Sequence, residues 1–195
     1  MAAIAELRQV KVSERERSGG GETCQVEETF QRIFRENYGR VAGVLQRIVG
    51  DPSRAEDLAI EAFWRFYRQP RPRGDDNPAG WLYRTATRLG IDSLRAEMRR
   101  GRYEAEAGRL FYSTSPSDPL DNALRNEKQA QVRRTLAALP PEQAQLLILR
   151  HSGFSYQELS QTLRVKRCSV GTMLIRAENR FRKHYQRLYG KQEEQ

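Results

Sequence analysis

Cysteine and histidine are scarce in this sequence, which contains two of each among its 195 residues. Cys24 and Cys168 lie far apart, and neither belongs to a Cys-x-x-Cys pair or has a histidine at ligand spacing. This pattern favours two free thiols over a zinc site or a disulfide framework. We therefore predict no bound metal and no other cofactor.

Long apolar runs are also missing. No apolar segment approaches the roughly 20 residues that cross a bilayer, and the first part of the chain lacks the apolar core of a signal peptide. No lipidation motif is present. We expect no membrane insertion and a cytoplasmic location.

The sequence has no alternating β-branched runs and no internal repeats, so the predicted fold class is all-α. Apolar residues recur instead at three and four residues, first from Phe30 to Ile48. Asp51-Pro52 and Asn77-Pro78 each combine a capping side chain with a proline suited to the first helical turn. We predict two small helical domains joined by a flexible linker, with a helix-turn-helix in the C-terminal one. The predicted ranges are a disordered tail at 1–26, a domain at 27–103, a linker at 104–126, a second domain at 127–187 and a tail at 188–195.

Basic residues outnumber acidic ones, and the formal net charge is +9. Such a charge favours an anionic partner, for which nucleic acid and anionic membranes are the usual candidates. Because no lipidation motif supports a membrane, nucleic acid is the favoured partner.

Residues 77–100, NPAGWLYRTATRLGIDSLRAEMRR, concentrate arginine on one predicted helix face. Steps of four, four, three and four residues place on it Arg84, Arg88, Asp92, Arg95 and Arg99. The Asp92 carboxylate can hold its neighbours Arg88 and Arg95, while Trp81 and Tyr83 lie close to Arg84. Arginines neutralise phosphates and aromatic rings stack on unpaired bases, so this face suits DNA that is being opened. The alternative is a solvated basic surface with Trp81 packed in the core.

A second pair of helices is predicted near the C-terminus. Ser155 and Glu158 have the spacing of a capping box, and a short turn around Val165 follows their helix. The next helix has an apolar stripe from Val170 to Phe181 and a basic outer face. Two short helices joined by a tight turn, the second one basic, predict a helix-turn-helix that binds DNA, although other helical hairpins show the same spacing.

Four segments together resemble the bacterial RNA polymerase sigma factors of the extracytoplasmic-function (ECF) type. They are RAEDLAIEAFWRFYR, NPAGWLYRTATRLGIDSLR, LPPEQAQLLILRHSGFSYQELSQTLRV and SVGTMLIRA, which follow one another in the order of the family's motifs. The resemblance covers approximately residues 28–187. It departs from the family pattern at Ile60 and Arg88, where relatives carry glutamine and asparagine, and at Gly171 and Met173, where they often carry lysine or arginine.

The resemblance implies a role for each motif. The acidic helix is similar to the surface that binds core polymerase, here Glu56, Asp57, Leu58, Ile60, Glu61 and Phe63. The arginine-rich helix is similar to the part that recognises and melts the −10 promoter element, here Trp81, Tyr83, Arg84, Arg88, Asp92, Arg95 and Arg99. The last helix is similar to the reader of the −35 element, here Lys166, Arg167, Ser169, Gly171, Thr172, Ile175 and Arg176. No catalytic residue is implied, because the polymerase performs the chemistry.

The implied partners are core RNA polymerase, through its β′ clamp helices and β flap, and promoter DNA in double- and single-stranded form. An anti-sigma factor is a further partner that the resemblance allows.

Two other functions fit parts of the sequence. A stand-alone helix-turn-helix regulator would bind a symmetric operator as a dimer, whereas a sigma factor forms a one-to-one complex with polymerase. An enzyme acting on nucleic acid would need paired carboxylates, a metal-ligand cluster or a phosphate-binding glycine loop, and the sequence shows none of these.

The distance between two promoter elements gives a first testable prediction. Two DNA-reading helices about two duplex turns apart are separated by about 70 Å. A flexible linker of roughly 20 residues averages only about 25 Å between its ends. We expect the purified chain to bind a whole promoter weakly, and specifically only with polymerase, in a gel-shift titration. Tight sequence-specific binding without polymerase would contradict this.

Overall fold

The structure is a computed structural model that describes residues 20–68, 77–106 and 121–190. These ranges form seven α-helices and contain no strand, which confirms the all-α prediction. The helices are α1 (Gly20–Val49), α2 (Pro52–Arg68), α3 (Pro78–Glu106), α4 (Asp121–Ala138), α5 (Pro141–His151), α6 (Tyr156–Leu163) and α7 (Arg167–Tyr189).

Capping side chains start the helices where the sequence predicts them. The Asp51 carboxylate accepts a hydrogen bond of 2.8 Å from the backbone amide of Arg54, and the Asn77 side chain accepts one of 2.7 Å from Gly80. Each satisfies an amide that the first turn of the helix leaves without a partner. Gly50, with a φ of +81°, separates α1 from α2.

Several helix ends differ from the prediction. Helix α1 begins at Gly20 rather than near Phe30, and α4 begins at Asp121 rather than near Glu127. Helix α3 continues to Glu106, and α7 ends at Tyr189. An apolar stripe marks only the buried part of a helix, whereas backbone hydrogen bonding continues through polar residues until a break. The remainder of the predicted tails and linker, at 1–19, 107–120 and 191–195, lies outside the described residues.

Helices α1 to α3 pack together as the N-terminal bundle. Leu45, Ile48 and Leu82 are fully buried in its core, as is Phe63. Gly90 allows α3 to approach α1 closely, because an added Cβ would lie 2.9 Å from the Cδ1 of Ile48. The apolar stripe predicted from Phe30 to Ile48 is therefore the packing face of α1.

Helices α4 to α7 form the C-terminal bundle, whose core includes Leu146, Leu149, Leu159, Val170 and Leu174. The capping box at the start of α6 is present. The Ser155 hydroxyl accepts from the Glu158 amide at 3.2 Å, and the Glu158 carboxylate accepts from the Ser155 amide at 2.8 Å. The predicted helix-turn-helix is confirmed as α6, a three-residue turn and α7.

The two bundles lie against each other. Helix α3 packs on α4, α5 and α6, and α1 also contacts α5. The predicted division into two helical units is retained, but one face of the arginine-rich helix lies between them.

Two further predictions concern the cysteines and membrane-spanning helices. Cys168 is exposed with a free thiol, as predicted, while the side chain of Cys24 lies outside the described part of the structure. Among the described helices, none combines the length and apolarity that spanning a membrane requires.

The capping box predicts a pH-dependent contribution to stability. The backbone amide of Ser155 lowers the pKa of Glu158, and the Ser155 hydroxyl and the Arg40 guanidinium act in the same direction. A carboxylate with a lowered folded-state pKa stabilises the fold above its unfolded pKa, and this contribution is lost as the pH falls through the folded value. We expect Glu158→Gln to lower the melting temperature at pH 7, with a gap to the wild type that narrows below about pH 4.

Thermal melts followed by circular dichroism at a series of pH values measure this gap. Glu178→Gln is the matched control, because Glu178 is exposed and forms no hydrogen bond or ion pair with other described residues. A Glu158→Gln gap that stays constant from pH 7 to pH 3 would contradict the prediction.

Candidate nucleic-acid interface

The arginine-rich face of α3 divides into two parts. Arg88, Asp92 and Arg99 are exposed, whereas Arg84 and Arg95 are half-buried against the C-terminal bundle. The sequence periodicity correctly placed these side chains along one helix. It did not indicate that part of the face is covered.

Arg95 is held at the end of α4. Its Nε donates to the carbonyl of Ala137 at 3.0 Å, and its Nη2 donates to the carbonyl of Leu139 at 2.7 Å. The last carbonyls of a helix lack helical partners and carry a partial negative charge, so a guanidinium is well suited to cap them.

Arg84 makes the corresponding contact with α6, since its Nη1 donates to the carbonyl of Thr162 in the last turn of that helix. Beside it, the buried side-chain amide of Gln145 donates to the Arg84 carbonyl and to the Thr87 hydroxyl, both at 3.0 Å. Thr87 is fully buried. The contact between the bundles is therefore both polar and enclosed.

Tyr83 lies in the same contact and is only 3% exposed. Its ring meets Phe154 edge to face at 4.7 Å, and the Arg40 guanidinium lies over both rings. The Tyr83 hydroxyl is buried without a hydrogen-bond partner among the described residues, and burial raises its pKa. Tyr83 is thus inaccessible to DNA in this conformation, which corrects the expectation of an exposed aromatic beside Arg84.

Asp92 does not bridge its arginine neighbours as predicted. Within the described residues its carboxylate forms no ion pair, because Arg95 points toward the end of α4 instead. Trp81 is half-buried, with its ring 5.6 Å from that of Phe66. It therefore belongs partly to the core and partly to the surface.

The predicted −35 surface on α7 is open. Lys166 is the N-cap residue of α7 and makes no side-chain capping bond. Arg164 is the C-cap residue of α6 and has a φ of +56°. Ile175 is 60% exposed although it is apolar. The other members of the predicted surface are exposed or half-buried, namely Lys166, Arg167, Ser169, Gly171, Thr172 and Arg176.

Two basic residues that the predicted site omits extend this surface. Arg180 and Lys183 line a concave site of about 450 Å³ together with Arg176, Asn179 and Gln143. Their spacing from Arg176, four and seven residues, is the sequence signal that identifies them as part of the same helix face.

The predicted polymerase-binding surface on α2 is only partly exposed. Glu56 and Asp57 face solvent. Burial is the main cause of the raised pKa of Tyr38, and the negative charges of Glu56 and Asp57 raise this pKa further. Glu61 is paired with Arg65 at 2.7 Å. Leu58 and Ile60 are half-buried.

Phe63 is not exposed, contrary to its place in the predicted surface. It packs within an aromatic cluster, 4.7 Å from the ring of Phe34 and 6.1 Å from that of Tyr38. It therefore supports the acidic helix from the core side.

Comparisons with known proteins match both bundles. Residues 33–100 match the family model of Sigma-70 region 2, and residues 129–181 match that of Sigma-70, region 4. The ECF RNA polymerase sigma factor SigE of Mycolicibacterium smegmatis is 31% identical over 158 residues, which are 79% of this chain and 60% of that protein. The RNA polymerase sigma-H factor of Pseudomonas aeruginosa is 32% identical over 156 residues, which are 75% of this chain and 79% of that protein.

A solved structure also resembles the chain. It is the co-crystal structure of the sigma factor RpoE with the anti-sigma factor NepR from Bartonella quintana, at 19% sequence identity. The match covers 80% of this chain and 96% of that one, with a TM-score of 0.46.

Gly171 provides a test of the α7 surface. An added Cβ would lie 3.7 Å from the Tyr156 ring, which is ordinary contact, and glycine inside a helix costs about 1 kcal/mol relative to alanine. We expect Gly171→Ala to raise the melting temperature by about 2–4 °C.

Differential scanning calorimetry measures this shift. Gly153→Ala is the comparison, because Gly153 has a φ of +91° and alanine there should lower the melting temperature. An unchanged or lower melting temperature for Gly171→Ala would show that α7 does not tolerate a side chain at this position.

Proposed function

Because the chain belongs to the ECF RNA polymerase sigma factors, we propose that it binds core RNA polymerase and directs transcription initiation by recognising −10 and −35 promoter elements. The observation that carries this proposal is that each family-matched bundle presents its own basic helix face, on α3 and on α7. The dimeric operator-binding regulator is not favoured, because the family match includes both bundles.

The α7 surface reads the −35 element in the major groove. The N-terminal half of α7 is exposed and carries Arg167, Thr172 and Arg176 along its outer face. Arginine donates two hydrogen bonds to guanine, while Ile175 offers an apolar contact of the kind that thymine methyl groups favour. Arg180 and Lys183 are placed to contact the flanking phosphates.

The α3 surface binds the −10 element and holds it open. Arg88 and Arg99 are exposed and positioned to contact phosphates, and the accessible half of the Trp81 ring can stack on an unpaired base. Arg88 stands where relatives carry asparagine, so we expect this chain to rely more on charge at that position.

The acidic face of α2 binds the clamp helices of polymerase. Glu56 and Asp57 supply exposed negative charge, and the half-buried Leu58 and Ile60 supply apolar area next to it. Phe63 fixes the helix from beneath.

Run-off transcription with core polymerase, with and without the chain, on a library of promoter fragments tests the proposal. We expect discrete start sites that depend on the chain, and at least tenfold lower activity for the pair Arg167→Ala and Arg176→Ala. Arg35→Ala is the matched control, since Arg35 is exposed on α1 and forms no hydrogen bond or ion pair with other described residues. Failure of core polymerase to respond on every template would contradict the proposal.

Trp81 separates strand opening from closed-complex binding. We expect Trp81→Ala to reduce permanganate reactivity of −10 thymines in the polymerase complex by about tenfold or more, because base stacking is worth about 1–3 kcal/mol. Duplex binding should change less. Trp81→Phe keeps a ring against Phe66 and is the control for folding.

Equal losses of strand opening and duplex binding in Trp81→Ala, together with a lower melting temperature, would instead assign Trp81 a packing role. The polymerase complex is the right sample for both measurements, because it holds the two bundles at promoter spacing.

A further inference from the structure

A concave site on the C-terminal bundle is lined entirely by polar side chains. It has a volume of about 450 Å³ and lies between the first turn of α5 and the outer face of α7. The site, which we call the basic concavity, is lined by Gln143, Arg176, Asn179, Arg180, Lys183 and His184. Small-molecule sites have volumes of roughly 300–1,000 Å³ but are lined mainly by apolar groups, so a polar lining indicates a charged ligand.

Three permanent cations of the basic concavity have no internal partner. Arg176, Arg180 and Lys183 are exposed, and none forms a hydrogen bond or an ion pair with another residue in the part of the chain that the structure describes. Their spacing of four and three residues keeps them on one face of α7. Among the described residues no acidic side chain lines the site, since Glu178 lines a separate groove. An anion bound between the three cations would relieve their mutual repulsion.

Two neutral residues of the basic concavity present hydrogen-bond donors. The Gln143 Oε1 is buried without a hydrogen-bond partner among the described residues, so the NH2 group is the end of this amide that faces the site. In His184, Nδ1 lies 3.2 Å from the Nη2 of Arg187. Because a guanidinium has no acceptor, Nδ1 accepts this bond and the ring proton lies on Nε2 as a donor. A site of cations and donors suits an oxyanion.

We propose that the basic concavity binds a small polyphosphate anion with at least two linked phosphate groups. A single phosphate monoester carries about −1.5 to −2 charges, which is less than the three permanent cations of the site. Two linked phosphates match this charge more closely, and they offer further acceptor oxygens to the amide and imidazole donors. Inorganic pyrophosphate and the diphosphate part of a nucleotide both belong to this ligand class.

A ligand in the basic concavity affects the proposed −35 surface through Arg176, which belongs to both. Arg180 and Lys183 are the residues proposed to contact the flanking DNA phosphates. A polyphosphate held by these three side chains therefore competes with duplex DNA. This consequence rests on the proposed function, whereas binding of the anion itself does not.

Isothermal titration calorimetry of the full chain with sodium pyrophosphate, at constant ionic strength, tests the binding. We expect one site per chain and an affinity that falls about tenfold or more in Arg180→Ala. Arg182→Ala is the matched control, because Arg182 is exposed on the same helix but lines the separate groove. It removes the same charge and should change the affinity by less than about twofold.

Two further titrations separate a built site from general charge attraction. Gln143→Leu removes a donor without changing the net charge and should weaken pyrophosphate binding about threefold. Inorganic phosphate should bind the wild type about tenfold more weakly than pyrophosphate, because it satisfies fewer of the cations. Equal affinities for the two anions would contradict a ligand with linked phosphates.

Fluorescence anisotropy of a labelled −35 duplex measures the competition. Pyrophosphate should displace the wild-type chain from the duplex at a lower concentration than sodium sulfate does at the same ionic strength. This difference between the two anions should be lost in Arg180→Ala and kept in Arg182→Ala. Displacement by pyrophosphate no better than by sulfate would contradict the competition.

Equal pyrophosphate affinities of Arg180→Ala and Arg182→Ala would show that net charge alone attracts the anion, and would overturn the basic concavity as a binding site. Failure of the wild type in run-off transcription would instead remove the proposed function. The calorimetric result needs neither polymerase nor promoter DNA, so the two failures are distinguishable.

Discussion

The bond between a guanidinium and the carbonyls at the end of a helix determines how the two halves of this protein are arranged. Each of α4, α5 and α6 ends with carbonyls that lack helical partners, and an arginine from the N-terminal bundle reaches each end. A hydrogen bond to a charged group contributes about 1.5–3 kcal/mol. This range applies best to the part-buried bonds of Arg84 and Arg95, whereas the bond from Arg47 to His151 is exposed and contributes less. The buried hydrogen bond between Gln145 and Thr87 lies beside the Arg84 contact, since Gln145 also donates to the Arg84 carbonyl.

The same chemistry connects the arrangement of the bundles to the proposed DNA binding. Arginine binds helix ends and phosphates for the same reason, which is that both present oxygen atoms with negative charge. The chain therefore has two kinds of basic surface. On α7 the surface is open, whereas on α3 only the part around Arg88 and Arg99 is open. The remainder, at Arg84 and Arg95, is occupied by the protein's own backbone.

Local signals in the sequence were sufficient to predict the helices, the caps at Asp51 and Asn77, the capping box and the helix-turn-helix, because each depends on residues only a few positions apart. The contact between the bundles could not be predicted in this way. Periodicity identifies a helix face but not what covers it, so Tyr83 and Arg84 were placed on the same surface as Arg88. The family resemblance, and not the periodicity, places Phe63 on the polymerase-binding surface, although its aromatic neighbours lie on α1. The functional roles of the three candidate surfaces and the domain limits stay predictions.

The central claim is that the C-terminal bundle covers Arg84 and Arg95 on the α3 face. Chemical modification of arginines in the free wild-type protein, followed by mass spectrometry, tests this claim most directly. Phenylglyoxal reacts with accessible guanidinium groups, and the four arginines of the α3 face differ in their contacts but not in their chemistry. Arg88 and Arg99 should be modified several times faster than Arg84 and Arg95. Equal rates for all four would show that the C-terminal bundle does not cover the α3 face in solution.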